Sequence, residues 1–234
     1  MKSISRTIDD RRLRPGDHIE NGAGRSRHEG AKMSRAARGG VLSGRPAATT
    51  RGRLSSIAID LFTEHGFDET SVDDIAAAAG IARRTLFRYY PSKNSLPWGE
   101  FDEHLDGLRD LLRASADAPL GRQLRDALIA FNTVGEAEVT EHRRRMTLLL
   151  GVPALQAHSM LMYADWRQVI AEHCAARLGS TPESHTPQTI AWMTLGVALA
   201  AYEQWLHEPD ADLTDLIGAG GDILIAGVSS LTAG

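Results

Sequence analysis

Between Leu54 and Leu96 three short helical signatures follow one another within about forty residues, each closed by glycine or proline, and this punctuation restricts the fold more than any other feature. Leu54, Ile57, Ala58, Leu61 and Phe62 fall at i, i+3, i+4, i+7 and i+8, the spacing of one buried helical stripe. Gly66 can end that helix in a left-handed conformation, and Phe67 can fold back onto the stripe. Thr70 or Ser71 caps a second helix running Val72 to Ala79, with Asp73 and Asp74 in its first turn, where the helix dipole favours acids. Gly80 turns the chain, a third helix follows from Ala82 to Tyr90, and Pro91 stops it. Beyond Ser95 the pattern predicts helices over about 96–115, 121–138, 141–150, 154–178, 187–207 and 212–231. Breaks fall at Pro119, Gly121, Gly151, Pro153, Gly179, Pro182, Pro187 and Pro209. No strand pattern or internal repeat is visible, so the fold class expected is all-α.

In the third helix Ala82, Leu86 and Tyr90 recur every four residues and are expected to face inward. Arg83, Arg84, Phe87 and Arg88 are then left on the opposite side. A short helix can enter the major groove, where arginine reads guanine through two hydrogen bonds and threonine or aromatic side chains meet thymine methyls or phosphates. A solvated basic face on an ordinary helical hairpin would show the same residues.

The ordered context separates these alternatives. The segment AIDLFTEHGFDETSVDDIAAAAGIARRTLFRYYPSKNSL, Ala58 to Leu96, closely resembles the DNA-binding domain of the TetR family. The resemblance implies a three-helix, helix-turn-helix domain over 49–94 and a helical ligand-binding and dimerisation domain over 95–234. It implies that Arg83, Arg84, Thr85 and Arg88 line the groove and that Tyr89 and Lys93 hold phosphates. It also implies a phosphate at Thr70 or Ser71, where free helix N–H groups suit an anion. At Phe87 the family often has tyrosine; without a hydroxyl, a hydrophobic or shape contact is expected there. The longer text RTLFRYYPSKNSLPWGEFDEHLDGLRDLL, the Arg143 region and MYADWRQVIAEH resemble TetR-type regulators associated with mycofactocin biosynthesis. That likeness implies an acyl-coenzyme A effector.

Charge is distributed to match. Residues 1–53 hold thirteen basic and five acidic side chains, a net +8, whereas the remainder carries −12. Residues 1–48, rich in Gly, Arg and Ser without apolar periodicity, read as a disordered basic arm that attracts DNA or reaches its minor groove. A non-essential tail, or translation starting at Met33, accounts for them equally. The single cysteine, Cys174, allows neither an intramolecular disulfide nor a thiolate metal cluster. The longest apolar run, Ile190 to Tyr202, is shorter than the ~20 residues of a membrane span, and no signal-peptide core follows the first basic residues. The expected location is cytoplasmic, with no membrane partner.

For the ligand pocket the large apolar side chains Phe131, Met146, Leu149, Leu150, Tyr163, Trp166 and Trp192 are the candidates, each of which could equally be core packing. Arg143, Arg144 and Arg145 form a basic triplet able to attract a phosphate-bearing ligand or to solvate a helix end. Two stripes, Ile190, Met193, Val197, Ala201 and Trp205, and Leu213, Leu216, Ile217, Gly220, Ile223, Leu224, Gly227 and Val228, suit a homodimer interface or an intramolecular core. The interface residues expected are Val197, Ala201, Trp205, Ile217 and Leu224. No metal or cofactor is expected beyond a small-molecule effector. A metal hydrolase using Asp102, His104 and Asp106, or Glu203 and His207, lacks the second histidine of the zincin pattern. Gly218–Gly221 has no preceding strand for a dinucleotide site, and no serine stands in a nucleophile elbow. The implied function is a ligand-responsive repressor that binds a palindromic, double-stranded operator and is not an enzyme. An architectural DNA-coating protein would instead rely on the basic arm and bind without sequence preference.

Overall fold

The computed structural model describes residues 50–114 and 117–229; the expected arm over 1–48 lies outside them. All regular structure among the described residues is helical, as nine α-helices and two 3-10 segments. Helix α1 spans Arg51–His65, with Thr50 Oγ1 accepting from the Arg53 N–H at 3.2 Å. Gly66 ends it at φ +90°, and Phe67 folds back so that its ring lies 4.9 Å from that of Phe62. The buried face of α1 is Leu54, Ser55, Ala58, Ile59 and Phe62. It is turned slightly from the expected stripe, because Ile57 and Leu61 are only partly covered.

Helices α2 (Val72–Ala78) and α3 (Arg83–Tyr89) follow, separated by Gly80 at φ +68°. Ser71 caps α2: its Oγ accepts from the Asp74 N–H while the Asp74 carboxylate accepts from the Ser71 N–H, so two otherwise open donors are satisfied together. The Ser71 hydroxyl, donating to the Asp74 carboxylate at 2.6 Å, and then the Ser71 N–H hold that carboxyl below the usual carboxylate range.

The expected 96–115 helix is two elements. Lys93–Trp98 is a 3-10 segment capped by Ser92, Gly99 at φ +60° breaks it, and α4 begins at Phe101 and runs to Ala114. Likewise the expected 121–138 helix becomes α5 (Leu120–Asn132) and a 3-10 turn at Glu136–Glu138, because Thr133 is extended. Helices α6 (Val139–Gly151) and α7 (Pro153–Leu178) lie close to their expected bounds. Helix α8 (His185–His207) starts two residues early and takes Pro187, read from sequence as a break, into its first turn, where no intrahelical N–H is needed. Helix α9 spans Leu213–Ser229.

Helix α9 packs against both α5 and α8. Glycines set the approach: a Cβ on Gly121 would stand 3.1 Å from Ile225 Cα, one on Gly221 2.6 Å from Arg125 Cγ, and one on Gly220 2.8 Å from Val197 Cγ1. The apolar core is continuous from Leu54 of α1, through Leu86 and Leu96, to Ile217 and Leu224 of α9.

Candidate nucleic-acid interface and effector cavity

Helix α3 is anchored by Leu86, fully buried, and by Tyr90, whose hydroxyl donates to the Arg51 carbonyl at 2.8 Å. Burial pushes the Tyr90 phenol up to about 12, so it stays a donor. Ala82 is exposed as the helix N-cap, not inward as expected, because the turn from Gly80 delivers it outside the first helical turn. Arg83, Arg84, Phe87 and Arg88 are all exposed, with Thr85 and Tyr89 half-buried beside them. Two arginines are braced: Arg83 pairs with Asp73 at 2.8 Å and lies over Phe87, and Arg88 lies over Tyr89.

Thr70 is buried and its hydroxyl donates to the Gly66 carbonyl at 2.8 Å, leaving Ser71 as the exposed hydroxyl at the start of α2. Lys93 faces inward more than expected. Its Nζ donates to the carbonyls of Phe67 (2.7 Å) and Thr70 (3.1 Å) and stands 4.1 Å from the centre of the Phe67 ring, closing the α1–α2 corner.

A cavity of about 560 Å³ lies among the 3-10 segment before α4 and helices α4 to α8. Five expected residues, Phe131, Met146, Leu149, Tyr163 and Trp166, line it. Leu150 sits half-buried on another side of α6, and Trp192 is about half exposed (47%), its ring stacked 3.6 Å from the Arg167 guanidinium. Trp192 therefore drops out as a pocket residue: α8 turns it toward α7's outer surface. The basic triplet does not act as a unit. Arg143 stacks on Trp205 at 4.0 Å, Arg144 pairs with Asp60 of α1 at 2.7 Å, and only Arg145 reaches the cavity, where it meets Glu141 at 3.1 Å.

The polar wall of the cavity went unread in the sequence. The Tyr202 hydroxyl donates to Asn132 Oδ1 at 2.8 Å, and His142 Nε2 lies 2.9 Å from the same hydroxyl. Burial, then the positive charge of Arg145 and the neighbouring His104, push the His142 pKa down to about 4, so the ring is neutral at pH 7. Glu141 Oε1 accepts from Ser56 Oγ of α1 at 2.9 Å, and Glu100 Oε1 from the Gly52 N–H at 3.3 Å. Gly52 and Ser56 thus bring the first turns of α1 into the cavity wall. These residues are scattered over five helices and the Gly99–Glu100 linker, and no spacing rule joins them.

Of the expected dimer residues, Trp205, Ile217 and Leu224 are buried within the one chain, and Ala201, also largely buried, lines a surface groove between α8 and α9 together with Val197. Val197 is half-buried beside Gly220. The uncovered apolar face of α8 and α9 is instead Met193, Gly196, Ala200, Leu216 and Ile223, the last 76% exposed. Among the described residues no group of three His, Cys, Asp or Glu side chains is placed to hold a metal, and no helix is long and apolar enough to cross a membrane.

Comparison with known proteins places the same two regions in families. Residues 56–96 match the bacterial regulatory proteins of the tetR family, and residues 118–229 match the MftR C-terminal domain. A Mycobacterium tuberculosis protein named as a mycofactocin biosynthesis transcriptional regulator, MftR, is 52% identical over 189 residues, covering 80% of this chain and 96% of that one. A tetR-family regulator from Streptomyces coelicolor has a similar structure, with a TM-score of 0.50 and 25% identity over 78% of this chain and 82% of that one. FadR of Thermus thermophilus, solved with lauroyl-CoA, gives a TM-score of 0.51 at 23% identity over 76% of this chain and 94% of that one.

Proposed function

Since the chain belongs to the tetR family of bacterial regulatory proteins and is a transcription regulator carrying the MftR C-terminal domain, we propose that it is a homodimeric repressor released from its operator by an acyl-coenzyme A. The observation that carries this reading is the cavity's position. A space of about 560 Å³ with an apolar end at Phe131, Met146, Leu149 and Trp166 shares its wall with Gly52 and Ser56 of α1, the helix on which α3 is braced. A ligand that fits one placement of α1 better than another shifts the population of α3 placements by its difference in affinity, typically about 1 to 3 kcal/mol.

In this reading α3 lies in the major groove, with Arg84 and Arg88 on base edges or phosphates and Ser71 at a phosphate. The dimer forms over the exposed α8–α9 face. Two α3 helices about 34 to 36 Å apart then grip a palindromic operator in the cytoplasm. The test is a mobility-shift titration on the DNA upstream of its own gene. Dodecanoyl-coenzyme A and longer acyl chains are expected to release the protein while free coenzyme A does not; no release at any chain length removes the acyl-coenzyme A assignment.

A further inference from the structure

The hydrogen bonds at the polar end of the cavity have only one consistent direction. Asn132 Nδ2 donates to the Leu128 carbonyl at 2.7 Å, which turns Asn132 Oδ1 toward Tyr202. Oδ1 can only accept, so the Tyr202 proton is spent there, and the Tyr202 oxygen offers a lone pair to His142 at 2.9 Å. His142 must therefore carry its hydrogen on Nε2. A neutral imidazole with Nε2–H has a bare lone pair on Nδ1, and the same ring lines the cavity.

The surroundings have matching polarity. Glu100, Glu138 and Glu141 line the cavity, against one lining guanidinium, Arg145, which is already 3.1 Å from Glu141, and the imidazole of His104. A carboxylate or phosphate placed among these three carboxylates would face an excess of negative formal charge.

We propose that this end of the cavity, centred on His142 Nδ1, selects a neutral hydrogen-bond donor, an amide N–H or a hydroxyl, and rejects an anionic head group. The inference rests on the acyl-ligand reading above and says which part of such a ligand the collar grips. In an acyl-coenzyme A the stretch next to the thioester is uncharged and carries amide N–H groups. That stretch occupies the collar, the acyl chain reaches toward Phe131 and Trp166, and the phosphates remain outside the acidic rim.

Three short probes test the collar on the full-length protein: S-dodecanoyl-N-acetylcysteamine, its isostere with ester oxygen in place of the amide N–H, and dodecanoate. The amide is expected to bind about tenfold more tightly than the ester, the worth of one retained hydrogen bond, and dodecanoate more weakly than the amide. In His142→Leu the preference for amide over ester disappears. Should that variant fail to fold, Tyr202→Phe removes the group that fixes the tautomer and is expected to reduce the preference. Long-range proton–nitrogen NMR of the wild type is expected to show Nε2 protonated and Nδ1 bare, with Nδ1 shifting when the amide probe binds.

Equal affinity for amide and ester, tighter binding of dodecanoate, no binding of any probe, or a hydrogen on Nδ1 overturns the inference. If dodecanoyl-coenzyme A releases the operator but the two isosteres bind equally, this inference falls and the acyl-coenzyme A reading stands. If the amide is preferred but the coenzyme A ester has no effect, the reverse holds.

Discussion

Arg84 and Lys93 both looked like DNA ligands in the sequence, yet their surroundings separate them. Arg84 is exposed on α3, and Arg84→Ala is expected to cost roughly 1 to 3 kcal/mol of operator affinity and to relax preference at one base position, as a panel of single-base operator variants would show. The Lys93 ammonium is spent on two carbonyls at the α1–α2 corner. Lys93→Ala is therefore expected to lower the thermal midpoint while leaving the salt dependence of DNA binding unchanged; a slope reduced by about 1 would mean that the ammonium reaches a phosphate as well. His142 makes a prediction of its own. Its pKa is depressed in the fold, so the unfolded chain takes up a proton first as pH falls. Its stabilising contribution is complete above pH 6.5 and is lost as pH falls toward about 4. Between pH 7 and 5 this amounts to about 2 kcal/mol. Burial also depresses His158 and His173, so the term is read as the difference between wild type and His142→Gln in urea titrations at the two pH values.

At the scale of helices, legibility followed the locality of the cause. Helices α1 to α3 are specified by caps and glycines a few residues away, and the Ser71 capping box and Gly66 and Gly80 turns are visible in the text itself. Helices α8 and α9 are apolar nearly all round, so a stripe cannot say which flank meets the chain's own core. Ile190, Ala201 and Trp205 went inside and Met193 outside, although all four fall on one expected stripe. The cavity's polar wall was illegible for a different reason: Asn132, His142 and Tyr202 are brought together from three helices by packing. Close packing also sets the sensitivity of α9. Gly221→Ala puts a methyl 2.6 Å from Arg125 Cγ and is expected to cost about 1 to 3 kcal/mol in denaturant unfolding, whereas Gly107→Ala, exposed on α4 with open space at its Cβ, is expected to cost nothing there.

For the whole molecule, the proposed dimer turns on the uncovered α8–α9 face. Ile223→Glu places a charge at the most exposed large apolar side chain on it, and sedimentation is expected to show monomers with intact helical content. Operator affinity falls with the loss of the paired grip. Trp205→Ala, buried at 4% exposure, is expected instead to unfold the chain at lower temperature and to leave assembly of the folded fraction intact.

Gly52 and Ser56 belong to the segment that reads as a DNA-binding module, yet they form part of the wall around the ligand space. A chimera that exchanged residues up to 94 for those of another regulator, intending only to re-address the protein to new promoters, would replace part of the chamber too. Such grafts are expected to alter which inducers are accepted, and restoring the glycine and the serine in the donor module is the repair to try first when building a biosensor on this scaffold.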